Sequence, residues 1–282
     1  MVETISEHNC FGGVQGYYSH PSSLIGLPMR FSVYQPPQAR QSWGPVLFFL
    51  AGLTATEETF MIKAGAQRLA AEYGLMLVSP DTSPRNTGIE GADENWDFGH
   101  GAGFYLDATE APWNTRFRME SWVVDELREL IIGRFPAHAD RIGIFGHSMG
   151  GHGALTLALR HPQIYRSVSA FAPISAPMGC AWGVNAFSKY LGRDRQEWKA
   201  HDANELMRQQ KTPFPNGILI DQGLSDQFLG QQQLRPELFE AACDEASQPL
   251  TLRRHAGYDH GYYFISTFMA DHLAFHYANL GD

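Results

Sequence analysis

The chain has 282 residues, 44% of them apolar and 12% aromatic, which is enough for a sizeable core. Its formal net charge of −9 argues against a broad basic face for nucleic acid. The three cysteines, Cys10, Cys180 and Cys243, are too few and too scattered for a disulfide framework, and no run is long enough to cross a bilayer. The start, MVETISEHNC, has neither a basic region nor an apolar run. A soluble cytoplasmic protein is therefore expected, with no membrane partner.

In chain order, MRFSVYQPP (29–37) reads as a strand ended by prolines, and a companion strand is expected near 14–20. Both precede any helix and suit an antiparallel edge. VLFFLAG (46–52) is wholly apolar, as in a strand covered on both faces. A helix is predicted over 56–74, stopped by Gly74, and a second buried strand over 75–81. Met119, Trp122, Val123, Leu127, Leu130 and Ile131 recur at helical spacing and predict a helix over 119–134. Strands follow at 141–146, 167–173, 217–223 and 250–257, and helices at 151–161, 232–246 and 263–278. This alternation predicts an α/β fold with a mostly parallel central sheet and helices on both faces. No boundary divides the chain, so one domain is expected over 1–282. Two stretches escape the alternation, at about 82–118 and 174–214. Each follows the carboxyl end of a strand, where parallel sheets place their sites. Their aromatic content, Trp96, Phe98, Phe104, Trp113, Phe117, Trp182 and Phe187, predicts packed excursions.

IFGHSMGGHG (144–153) carries the chemistry. Gly146–His147–Ser148–Met149–Gly150 matches the G-x-S-x-G nucleophile elbow, in which small neighbours let a serine hydroxyl stand above the sheet. The helix beginning just after leaves the Met149 amide free for a developing oxyanion. A second donor is expected from the loop LAGLTATEETF (50–60), where Gly52 permits a close turn and Leu53 offers its amide.

A serine of this kind is followed in the chain by an acid and then a histidine. Asp221 and Asp226 compete for the acid. Asp221 ends a strand and is read as serving the backbone there, so Asp226, in the loop, is preferred. His260, between Gly257 and Gly261, is preferred over His255, which falls in the strand pattern. His272 and His276 lie in the terminal helix and are read as surface or interface residues. His147 and His152 are read as shaping the serine's surroundings, with their side chains directed elsewhere. There is no zinc spacing, no Walker lysine and no dinucleotide fingerprint, so neither a metal nor a nucleotide cofactor is expected. Elbow and triad alone equally suit a short-chain carboxylesterase or a carbohydrate ester hydrolase.

The stretches LAGLTATEETF, AGAQRLAAEYGL, PDTSPR, GAGFYLDAT, PWNTRFRM, GHSMGGHGAL, SAFAPI, CAWGVNAFSKYLG, DQGLSDQFL and GYDHGYYF are more specific. Together they resemble the S-formylglutathione hydrolases of the esterase D family over nearly the full length. The resemblance implies an α/β-hydrolase fold, a Ser148–Asp226–His260 triad, oxyanion donors at Leu53 and Met149, and hydrolysis of S-formylglutathione to glutathione and formate. It also implies a homodimer. Trp182, in the second excursion, is a candidate for the substrate pocket. One departure is visible: the family often has a cysteine in GLTCT where this chain has Ala55. That change leaves the acyl-transfer groups in place. Cys180 is the remaining thiol expected to react, provided it is exposed.

Overall fold

The apolar runs become the middle of one sheet. In the computed structural model, which describes residues 1–281, the strands are β1 (Glu3–Cys10), β2 (Gly13–Pro21), β3 (Pro28–Gln35), β4 (Gly44–Leu50), β5 (Met76–Pro80), β6 (Ala137–His147), β7 (Tyr165–Phe171), β8 (Ile218–Gly223) and β9 (Leu250–His255). They form a nine-stranded sheet in the order β1-β2-β3-β5-β4-β6-β7-β8-β9. Neighbours from β5 through β9 run parallel, while β1, β2 and β3 form the antiparallel end. This edge matches the expected one apart from β1, whose residues ETISEHNC are mostly exposed and lack any apolar alternation.

The helices are α1 (Glu57–Lys63), α2 (Gln67–Tyr73), α3 (Met119–Ser121), α4 (Arg128–Arg134), α5 (Met149–Arg160), α6 (Ala181–Tyr190), α7 (Arg195–Trp198), α8 (Ala203–Gln209), α9 (Gln227–Gly230), α10 (Pro236–Glu245) and α11 (Tyr262–Leu280). A π-helical turn over Trp122–Leu127 joins α3 to α4. The single helix predicted over 56–74 is instead split into α1 and α2. Gly65 lies between them at φ +67°, a left-handed conformation that interrupts a right-handed helix. The helix predicted from 232 begins at Pro236, because Gln232 and Arg235 also have positive φ and proline suits the first helical position.

Strand alternation assigns the faces. Phe49 stacks on Phe60 of α1 at 3.8 Å between ring centroids, and Phe145 meets both Phe60 and His276 of α11. Ser169 Oγ also points to His276, whereas a Cβ on Gly151 of α5 would touch Cβ of the next residue, Ala170, at 3.4 Å. Successive strand residues face opposite sides, so α1 and α11 cover one face and α5 the other. Burying a phenylalanine such as Phe49 stabilises the fold by roughly 2–3 kcal/mol.

The two excursions differ from each other. Residues 82–118 stay irregular apart from a short 3₁₀ turn at Trp113–Thr115, yet Phe98, Phe104 and Phe117 are buried. Residues 174–214 are not irregular but hold α6, α7 and α8. Cys180, Asp194 and Asp202 cap these helices through side-chain acceptors. Tyr190 joins the excursions. Its hydroxyl accepts from Gly99 N–H (3.1 Å) and donates to Ala102 C=O (3.0 Å). Among the described residues no helix is long and apolar enough to cross a membrane.

Candidate active site

The chain leaves β4 toward β5 on one side and leaves β6 toward β7 on the other. A crevice therefore opens above the carboxyl ends of β4 and β6. The loop 51–55 and Ser148 both lie there.

Ser148 follows β6 and precedes α5 with φ 57° and ψ −118°, a costly conformation for a residue with a side chain. It is held by its own backbone. Its N–H donates to Phe171 C=O (3.0 Å), and its carbonyl accepts from His152 N–H (2.9 Å) and Ile174 N–H (3.2 Å). A Cβ on Gly150 would lie 1.9 Å from the Leu50 carbonyl oxygen, and one on Gly146 would lie 2.2 Å from the Gly150 oxygen. The turn is therefore closed to any larger residue at either position. The helix starts at Met149, two residues earlier than the sequence indicates.

Asp226 caps α9, accepting from Phe228 N–H at 2.8 Å through Oδ1. That leaves Oδ2 to accept from Gln222 Nε2 (3.2 Å) and from His260 Nδ1–H (2.5 Å). Backbone bonds tie the two loops together: Leu224 N–H to His255 C=O and Ser225 N–H to Tyr258 C=O, both 2.9 Å. Gly223 permits the crossing, since a Cβ there would meet the Tyr258 oxygen at 2.4 Å. Asp221 is elsewhere and does not serve the backbone through its side chain. Its carboxylate takes Arg253 in a two-pronged pair (2.6 and 2.5 Å), His255 Nε2 (3.1 Å) and His272 Nε2 (3.3 Å). These partners hold its pKa well below the usual carboxylate range, against a burial effect that alone would raise it.

The histidine readings need two corrections. His272 and His276 are fully buried and not at the surface. His272 Nδ1 bonds Ser169 Oγ at 2.8 Å, and His276 bonds Ser167 Oγ (2.6 Å) and Ser169 Oγ (2.8 Å). His147 does not point away from the site: its ring lies 4.4 Å from that of His260, and it lines the same cavity. Burial, and then the charge His260 would carry, push its pKa well below the ordinary histidine range. His152 packs between Phe104 and Phe187.

Loop 51–55 approaches closely because a Cβ on Gly52 would already stand 3.2 Å from Ser148 Cβ. The first excursion clamps this loop. Tyr105 O–H donates to Ala51 C=O (2.9 Å), and Thr54 N–H donates to Gly101 C=O (2.9 Å). Ala55 C=O accepts from Thr82 Oγ1 (2.6 Å) and from Arg85 Nη2 (3.0 Å), and Asp81 fixes the Arg85 guanidinium. Among the described residues, Leu53 N–H and Met149 N–H make no backbone hydrogen bond, so both can meet an incoming oxygen.

A cavity of about 370 Å³ opens over Ser148 and His260. One wall is aromatic. Trp96 meets Trp182 edge-on at 5.4 Å, Trp182 meets Phe228 at 4.8 Å, and Phe228 meets His260 at 4.9 Å. Thr54, Ala55, Thr59 and Lys63 also line the cavity. Trp182 is among the residues that line the cavity. Phe228, Tyr262 and Lys63 carried no sequence signal beyond their proximity to the loops that matter. Cys180 is buried, and burial pushes its thiol up to about 11, so it is not the reactive group considered above.

Strand order, the crossover at the elbow and the layering of helices make this chain an α/β-hydrolase, and one equipped as a serine hydrolase. Known proteins narrow the class. The family model described as Putative esterase matches residues 22–275, and the chain belongs to that family. It is 53% identical to an S-formylglutathione hydrolase of Paracoccus denitrificans, over 99% of this chain and 98% of the other. It is 52% identical to that of Rattus norvegicus, over 98% and 97%. A solved S-formylglutathione hydrolase from Agrobacterium tumefaciens superposes with a TM-score of 0.96 at 49% identity, covering 99% of this chain and 100% of that one.

Proposed function

We propose that the protein is a thioesterase that hydrolyses S-formylglutathione to glutathione and formate, with Ser148, His260 and Asp226 as its catalytic groups. The observation that carries this reading is the 2.5 Å bond from His260 to Asp226 on the rim of the cavity where Ser148 is held at positive φ. The full-length relatives at about half identity support the substrate.

In this mechanism His260 Nε2 takes the Ser148 proton as Oγ attacks the formyl carbon, and Asp226 holds the imidazole and stabilises its charged form. The carbonyl oxygen becomes an oxyanion between the Leu53 and Met149 amides. The C–S bond then breaks, the departing sulfur takes the proton from His260, and glutathione leaves as the thiol. Water attacks the formyl-serine, His260 takes its proton and returns it to Ser148 Oγ, and formate departs. Ala55 gives its carbonyl to Thr82 and Arg85, and its methyl group takes no part in proton transfer.

The test is turnover of S-formylglutathione against S-acetylglutathione and an aryl acetate, with Ser148→Ala alongside. The expected result is highest kcat/KM for the formyl thioester and loss of all turnover in the alanine variant. A higher value for either acetyl substrate would overturn the substrate assignment. Two further expectations accompany the reading: a cytoplasmic location, supported by three free thiols, and a homodimer, carried over from the family resemblance and measurable by sedimentation.

A further inference from the structure

The wall of the catalytic cavity carries one lysine and no arginine, aspartate or glutamate side chain. That lysine is Lys63, the last residue of α1, the helix that directly follows the oxyanion loop. Among the described residues it forms no ion pair. Its one recorded partner is the ring of Tyr262, whose centroid lies 5.7 Å from Nζ. A cation without an ion pair in a cavity otherwise lined by aromatic and uncharged polar groups, on a protein of net charge −9, is a selective feature of this cavity.

We infer that Lys63 is a specificity residue that reads a carboxylate on the leaving group. This rests on the thioesterase reading above and deepens it. A formyl group has no room for charge, so any anion the lysine meets must belong to the thiol half. Glutathione has two carboxylates and one ammonium. Its γ-glutamyl carboxylate sits beside its own ammonium, whereas the glycyl carboxylate at the other end has no internal partner. The glycyl end is therefore the group for Lys63, with the peptide stem lying within the cavity that Trp96, Trp182 and Phe228 line. The contact forms at an exposed rim, so it is modest and screened by salt. It acts on both ground and transition states and appears in KM more than in kcat.

The experiment pairs the residue with the substrate group. S-formylglutathione and its glycyl monoethyl ester are compared as substrates for wild type, Lys63→Gln, Lys63→Glu and Lys63→Arg, at low and high salt. Wild type should prefer the free acid by about fivefold in kcat/KM, mainly through KM, and lose most of that preference in high salt. Lys63→Gln should reduce the preference to near unity, Lys63→Glu should reverse it, and Lys63→Arg should retain it. If Lys63 only packs on Tyr262 or caps α1, its replacement changes both substrates by the same factor and the preference survives, which overturns the inference. Equal use of acid and ester by an active wild-type enzyme overturns it too. Failure to cleave either thioester while an aryl acetate is still cleaved would instead reject the thioesterase reading itself.

Discussion

Two acid–histidine clusters hang on β8 and its following loop, and only one of them faces a cavity. Asp226 bonds His260 on the rim, beside Ser148. Asp221 bonds His272, which bonds Ser169, which bonds His276, all enclosed between the sheet and α11. The second cluster therefore also contains an aspartate, a histidine and a serine in hydrogen-bonded series. It lacks what chemistry requires: space for a substrate, a strained serine and free amides to receive charge. Ser169 lies inside a regular strand, while Ser148 sits at φ 57° before a helix. Residue types do not make such a site; exposure to a cavity and preorganised donors do.

Separating the clusters by mutation gives the largest expected effect first. Asp226→Asn keeps the cap on α9, because asparagine also caps well, but removes the charge that orients His260. We expect kcat to fall by about 10³–10⁴-fold with an unchanged melting profile. A silent Asp226→Asn would erase the distinction between the clusters. Asp221→Asn should do the converse, removing the anion that Arg253, His255 and His272 share. Urea unfolding should show a loss of about 3 kcal/mol, while kcat per folded molecule stays within a few-fold of wild type.

Acid should close that stability gap. The folded pKa of Asp221 is depressed, so its stabilising contribution is fully present above the unfolded value and is lost as pH falls through the folded one. The difference between wild type and Asp221→Asn should hold constant from pH 7 to 5 and narrow below about pH 4, measured by chemical unfolding. A gap that instead widens toward acid would mean that another group dominates. The smallest effect is expected at loop 51–55. Tyr105→Phe removes the hydroxyl that holds Ala51 C=O and should lower kcat by about fivefold, near 1 kcal/mol, with little change in KM. An effect on KM alone would place Tyr105 in substrate binding instead.

Much of the frame was legible in the chain. Continuous apolar runs specify strands buried on both faces, and helical spacing between them specifies crossovers, because both signals act within a few residues. The elbow was equally legible, since Gly146 and Gly150 answer a steric demand made by their immediate neighbours. The order of serine, acid and histidine follows from a topology that the alternation already implies. Other features depend on contacts between distant segments. Gly65 read as tolerable inside one helix, but the packing of α1 and α2 uses it as a break. His272 and His276 read as surface residues because nothing local announces a partner. Yet two serines spaced by two on a strand span about 6.6 Å, and two histidines spaced by four on a helix span about 6 Å, so the pairs match once α11 lies on β7. The same reason hid the lining of the cavity. Trp96, Trp182 and Phe228 come from separate excursions and loops, and Lys63 joins them from the end of α1. The chain determined its elements and its elbow by short-range sterics and periodicity. Packing of those elements decided which aspartate meets which histidine, and where Lys63 would stand in the cavity wall.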